Sequence, residues 1–337
     1  MKNSFFALPP NEQRNALSQA AIFQKLPKQA VEKDLWVTAI IQICFSLPCA
    51  DSLVFKGGTS LSKAWELISR FSEDIDLAID RKVFEYEGDL TKRQIKKLRK
   101  ASSLFVRDEL YAQLVKAVEE SPLGGQCQIK PQPDGVGDDT YPEPRRILIN
   151  YQSRFEEEQG YLSPTVVIEA GARSLLEPNK EVKIGSLLES AFPQLDTTLA
   201  DVMVKTSLAE KTFLEKAFLL YELFSTPNGK DALRRSRHIY DLYMMMQKGV
   251  HERAIKDDVL WESIRHHRSV LTSVGGVDYS PDVRDRICLV PPDDCIGSWQ
   301  KDYDEMSGAM IYGERPAFEQ MIEGMRMLEQ LFRERSK

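Results

Sequence analysis

The chain has 337 residues, enough for one large domain or about two of ordinary size. It carries 45 basic and 51 acidic residues, and 42% of its residues are hydrophobic, which excludes a disordered chain, a collagen-like fibre and a coiled-coil rod. The net charge of -6 argues against a protein coated in nucleic acid but leaves room for local basic patches.

From the N-terminus, apolar periodicity predicts helices over Asn11–Gln24 and Lys28–Leu47, the second ended by Pro48. Leu53-Val54-Phe55 reads as a short buried strand. Gly57-Gly58 follows it, and Thr59 or Ser60 can cap a helix running to about Arg70. Ile75–Ile79, where apolar and acidic residues alternate, reads as a strand. Thr91–Glu120 reads as one long helix. Ser121–Pro144 has no apolar run and reads as a loop. Ile147–Gln152 and Thr165–Ala170 read as strands, and residues 181–206 as a short strand and helix with turns. Helices follow over Ser207–Ser225, Ser236–Lys248, Glu252–His267 and Arg315–Arg335, with a long loop at Ser269–Pro292. The fold class is α+β: a core with a small mixed sheet over residues 1–206, then a mainly helical domain over 207–337.

The five cysteines are scattered and odd in number, which disfavours both a disulfide framework and a zinc ribbon. The most apolar stretch, Leu35–Leu47, is too short to span a bilayer, and no signal-peptide pattern opens the chain. The expectation is a reduced, soluble, cytoplasmic protein with no membrane partner.

Chemistry concentrates in two neighbouring segments, Lys56-Gly57-Gly58-Thr59-Ser60 and Asp74-Ile75-Asp76. A strand that enters a glycine turn before a helix presents free N–H groups to an anion, and glycine lets the backbone approach closely. Asp74 and Asp76 sit two apart on a strand, so their side chains share a face. Paired carboxylates of this kind bind hard cations such as Mg²⁺. Either motif alone is common, and either aspartate alone reads equally as a solvated acid; the combination is far more specific. The segment is not a Walker A loop, since Lys63 is followed by Ala64.

The run Phe55-Lys56-Gly57-Gly58-Thr59-Ser60-Leu61-Ser62-Lys63, then Arg70-Phe71-Ser72-Glu73-Asp74-Ile75-Asp76-Leu77, resembles the AbiEii/AbiGii toxin family. That family, with the MenT-like toxins, belongs to the polymerase β-like nucleotidyltransferases. Val31-Glu32-Lys33-Asp34-Leu35-Trp36 resembles the family's N-terminal helix. Ala209-Glu210-Lys211 and Arg237-His238-Ile239-Tyr240-Asp241-Leu242-Tyr243 resemble its later motifs, with His238 where many relatives carry aspartate.

The resemblance implies a nucleotidyltransferase toxin of a toxin–antitoxin system. Such an enzyme transfers NMP from an NTP to an RNA acceptor, plausibly the tRNA 3′ end, to block translation. It implies two Mg²⁺ ions on Asp74, Asp76 and a third carboxylate, for which Glu169 is the candidate as the lone acid of an apolar strand; otherwise Glu169 is an edge-strand acid or a partner of Arg173. Lys56, Gly57, Gly58, Thr59 and Ser60 would hold the phosphates. Lys211 would add positive charge there and Asp241 would position it. Without the resemblance, Lys211 reads as a helix-surface charge and Asp241 as an acid paired with Arg237. Lys33 could reach the phosphates, or pair with Glu32 or Asp34 on the surface. A cognate antitoxin is the expected protein partner.

Lys92–Lys100 carries six cations in nine residues, including Lys96, Lys97, Arg99 and Lys100. Such a cluster suits an RNA backbone, or else forms a solvated helix face. No RNA-reading fingerprint accompanies it. Two alternatives stay open: the same transfer onto a protein or small-molecule hydroxyl, and a non-catalytic nucleotide-binding regulator.

Overall fold

The computed structural model describes residues 3–72, 74–135, 140–155 and 163–336. Glu73, inside the acidic motif, lies outside the described residues. The chain divides into two compact units, one of Met1–Ala64 with Phe71–Ser207, the other of Trp65–Arg70 with Leu208–Lys337.

In the first unit, β1 (Asn3–Ser4) leads to α1 (Pro10–Gln24) and α2 (Lys28–Cys44). Pro10 stands at the first turn of α1, where its missing N–H costs nothing. Then come β2 (Leu53–Lys56), α3 (Gly57–Lys63) and β3 (Asp74–Ile79). The helix α4 (Lys92–Phe105) opens with a capping box between Thr91 and Gln94. A π-turn over Val106–Leu110 carries it into α5 (Tyr111–Glu119). The unit ends with β4 (Cys127–Pro131), β5 (Arg145–Tyr151), β6 (Thr165–Gly171), β7 (Asn179–Val182), α6 (Leu187–Ala191), β8 (Leu195–Asp196) and β9 (Val204–Ser207).

Seven of these strands form a mixed sheet in the order β4-β5-β6-β3-β2-β9-β7, and β1 pairs with β8 alone. One sheet face is apolar: Ile75 and Leu77 of β3, Ile147 and Ile149 of β5, and Val166 and Ile168 of β6 are all buried. Trp36 of α2 stacks on Tyr151 at 4.8 Å on that face, and Ser103 of α4 accepts a hydrogen bond from Arg145 Nη1 at 3.1 Å. The period of two then puts Asp74, Asp76, Arg146 and Glu169 on the opposite face.

The second unit holds α7 (Ala209–Phe224), α8 (Ser236–Gln247), α9 (Val250–Lys256), α10 (Asp258–His267), α11 (Ile296–Met310) and α12 (Phe318–Ser336). Its core is aromatic, with Trp261 packed between Phe218 at 4.6 Å and Phe332 at 5.3 Å. The α+β expectation with a helical C-terminal region holds.

Several elements differ from the sequence reading. The helix after the glycines ends at Lys63 instead of near Arg70. Glu66 takes a positive φ of 52°, and Arg70 forms an isolated bridge with Ile311, so tertiary pairing outcompetes helix propagation over residues 65–70. The expected loop at Ser121–Pro144 contains the edge strand β4, whose weak alternation hid it. The expected helix over Glu252–His267 is broken at Asp257, whose carboxylate accepts the Leu260 N–H and caps α10. The helix α11 was not anticipated.

Candidate active site

Gly57 opens α3 with φ +79°, a conformation that L side chains rarely adopt. A Cβ built on it would stand 2.0 Å from Asp76 Oδ2. The glycine therefore serves both backbone geometry and the close seat of the Asp76 carboxylate. Thr59 Oγ1 donates to the Asp74 carbonyl and so ties α3 to β3. Ser60 Oγ donates to the Gly57 carbonyl at 2.8 Å. Both side chains are buried, so these hydroxyls brace the turn.

The sheet register aligns four charged residues in a straight row. Lys56 on β2 opposes Asp76 on β3, Asp76 opposes Glu169 on β6, and Glu169 opposes Arg146 on β5. Directly opposed residues project from the same face of a sheet, with neighbouring strands about 4.8 Å apart. Two carboxylates are thus flanked by two cations. A second row runs Asp74, Val167, Leu148, Lys130 across β3, β6, β5 and β4. Arg146 Nε and Nη2 donate to Glu169 Oε1 at 2.7 and 2.6 Å. Glu169 is therefore not a partner of Arg173, which binds Glu143 instead. Arg146 was missed from sequence because only the register brings it to Glu169.

The charges at the start of α2 are not on the surface. Glu32, Lys33 and Asp34 are all buried. Glu32 accepts from Ser153 Oγ and the Arg154 N–H, each at 2.6 Å. Lys33 donates to the Ser163 carbonyl at 3.0 Å. Asp34 pairs with Lys63 at 2.5 Å and accepts the Leu187 N–H at 2.7 Å. Asp34 thereby fixes the far end of the helix that begins at the glycine turn.

In the second unit, Lys211 is fully buried and pairs with Glu215 at 3.6 Å, so the surface reading of this lysine is corrected. Asp241 is also fully buried, and its partners are neither Lys211 nor Arg237. Arg70 grips it with Nε and Nη2 at 2.6 and 2.7 Å, and Lys216 Nζ reaches it at 2.8 Å. Burial pushes the Asp241 pKa up, but the Arg70 and Lys216 charges outweigh it and hold the carboxyl well below the ordinary carboxylate range. Lys216 Nζ lies 3.4 Å from His238 Nδ1. Burial first, then the charges of Lys216 and Arg237, press the His238 pKa well below 6.5. A neutral histidine thus stands beside an already cationic cluster.

The cations Lys92, Arg93, Lys96, Lys97 and Lys100 of α4 are exposed, while Arg99 is partly buried. Ser103 on the same helix touches Arg145, which points away from the carboxylate face. The basic helix therefore packs behind the sheet that carries Asp74 and Asp76.

The donor set fits a hard divalent cation. Two carboxylates share one strand face, and the missing Gly57 side chain leaves the space that Asp76 occupies. Among the described residues, no three His, Cys, Asp or Glu side chains converge on one point. Glu169 is held by Arg146, and further positions around an ion on Asp74 and Asp76 would fall to phosphate oxygens and water.

A glycine turn seated against a strand-borne Asp-x-Asp, on a mixed sheet backed by helices, makes the candidate site. Residues 46–324 match the family model described as nucleotidyl transferase AbiEii toxin, type IV toxin–antitoxin system, and the chain belongs to that family. It is accordingly a nucleotidyltransferase toxin of a type IV system. Among solved structures, the fold is similar to MenT4, a nucleotidyltransferase toxin of Mycobacterium tuberculosis H37Rv. That likeness has a TM-score of 0.52 and 16% identity, and covers 95% of this chain and 88% of the other. No curated protein sequence matches the chain. Among the described residues, no helix is long and apolar enough to cross a membrane.

Proposed function

We propose that the enzyme transfers the nucleoside monophosphate of an NTP to a hydroxyl of an RNA acceptor, the tRNA 3′ end, and so stops translation until a cognate antitoxin intervenes. The observation that carries this reading is the row Lys56, Asp76, Glu169, Arg146, with Gly57 pressed against the Asp76 carboxylate.

Asp74 and Asp76 would hold Mg²⁺, with Glu169 completing a two-ion set once it leaves Arg146. Bound there, the metal supplies polarisation of the α-phosphate and charge neutralisation of the departing pyrophosphate. Lys56 and the N–H groups of Gly57 and Gly58 hold the β- and γ-phosphates. Thr59 and Ser60 keep that turn in shape. The acceptor oxygen attacks the α-phosphorus in line, the bond to the bridging oxygen breaks, and Glu169 takes up the hydroxyl proton. Lys211 carries the role that the family motif implies, a cation for the triphosphate, while Asp241, implied to position Lys211, instead holds Arg70 and Lys216.

The test incubates purified protein with each NTP, Mg²⁺ and total tRNA, with Asp74→Asn as the control. Label on tRNA in one nucleotide lane, absent with the variant, supports the reading. Label only on protein or on a small molecule overturns the acceptor, and nucleotide binding with no transfer overturns the enzyme.

A further inference from the structure

Glu169 carries a cation, the guanidinium of Arg146. The guanidinium of Arg146 sits at 2.6 Å from Oε1, with the Arg146 side chain 59% exposed and that of Glu169 only 19%. Arg146 thus reaches from solvent over a largely sheltered acid. Such an exposed pair is weak. Each partner gains more from a stronger ligand: Glu169 from a divalent cation, Arg146 from a phosphate, which a guanidinium grips through two parallel hydrogen bonds.

The surroundings of Arg146 say where that phosphate would come from. On the same face, one strand further out, Lys130 of the edge strand β4 is exposed and opposes Leu148. Arg146 and Lys130 make a positive rim on the side of the carboxylates away from Lys56 and the glycine turn. The NTP phosphates belong to the Lys56 side, so an anion at Arg146 belongs to the other substrate. The more obvious basic helix, α4, packs behind the sheet.

We infer that Arg146 is an acceptor-binding residue that guards Glu169: it neutralises the third carboxylate while the site is empty, and releases it when a phosphodiester of the incoming acceptor takes the guanidinium. The inference rests on the nucleotidyl-transfer reading of the same site. It predicts ordered use of the row, in which the full acidic set forms only when an acceptor strand lies across β4 and β5.

Two readouts test it. Mn²⁺ binding, followed by electron paramagnetic resonance without nucleotide or RNA, should tighten about two- to fivefold in Arg146→Gln, because the competitor for Glu169 is gone. With tRNA acceptor, Arg146→Gln should raise the acceptor KM about tenfold and leave the NTP KM unchanged. Arg146→Lys should fall between the two, and Lys130→Gln should raise only the acceptor KM. Unchanged Mn²⁺ affinity together with an unchanged acceptor KM overturns the inference, as does a fall in kcat alone. If the wild type transfers to no RNA, the acceptor half fails with the proposed function, while the Mn²⁺ titration still decides whether Arg146 guards Glu169.

Discussion

Arg70 and Asp241 meet in a two-pronged ion pair, Nε to Oδ1 at 2.6 Å and Nη2 to Oδ2 at 2.7 Å, with both side chains almost wholly buried. Arg70 lies in the short stretch of chain that joins the glycine-turn helix to the Asp-x-Asp strand. That stretch groups with the helical unit. The Tyr312 N–H donates to the Ser69 carbonyl at 3.0 Å and reinforces the attachment. Asp241 is therefore a positioning residue for Arg70 and Lys216. Removing one member of a buried pair strands the other, and Asp241→Asn should cost about 3–5 kcal/mol in urea unfolding. The double variant Arg70→Gln/Asp241→Asn should cost less than the sum of the single changes by about 0.5–3 kcal/mol. Strict additivity would show that the pair does not act as a unit.

Gly57 offers a sharper contrast. In Gly57→Ala the new Cβ would collide with the Asp76 carboxylate, on a backbone already at φ +79°. Transfer and Mn²⁺ binding should both be lost. Gly88 also has a positive φ, +62°, but nothing lies within 4 Å of its added Cβ. Gly88→Ala should cost only about 1–2 kcal/mol of backbone strain and keep full transfer. Equal activity in the two variants would contradict the close seat of Asp76.

The pH dependence follows from depressed pKa values, those of Asp241 and His238 foremost. Asp241 is held below its unfolded value, so its stabilisation is complete above the ordinary carboxylate range and is lost only well below it. His238 is held well below 6.5 by burial and by Lys216 and Arg237. The unfolded chain then binds a proton that the folded chain does not, so stability falls as pH drops through about 6.5, at up to about 1.4 kcal/mol per pH unit for one proton. Urea unfolding of the wild type between pH 7.5 and 5 should show this slope, and His238→Gln should reduce it to the part that His251, also pressed down by burial, contributes. A slope that the variant leaves unchanged would show that His238 is not its source.

The local parts of the site were legible because their signals are local. The glycine pair and Asp-x-Asp declare a turn and a shared strand face, and the structure carries both. The partners were not legible. Arg146 meets Glu169 only through the antiparallel register of β5 and β6, and Arg70 meets Asp241 across 171 positions of sequence. Charged runs also misled: Lys33 read as pairing with Glu32 or Asp34 on the surface, yet all three are buried, each against partners far along the chain. Burial of charge depends on such partners, which composition does not reveal.

The central claim is that Asp74 and Asp76 serve nucleotidyl transfer. The most direct measurement uses one NTP labelled in turn on its α- and γ-phosphates, with wild type, Asp74→Asn and Asp76→Asn. The account predicts α-label on the acceptor, γ-label only in released pyrophosphate, and a fall of roughly 10³-fold in each variant, as expected for several kcal/mol of lost transition-state stabilisation. Label from the γ-phosphate on the acceptor, or undiminished transfer by either variant, would contradict it.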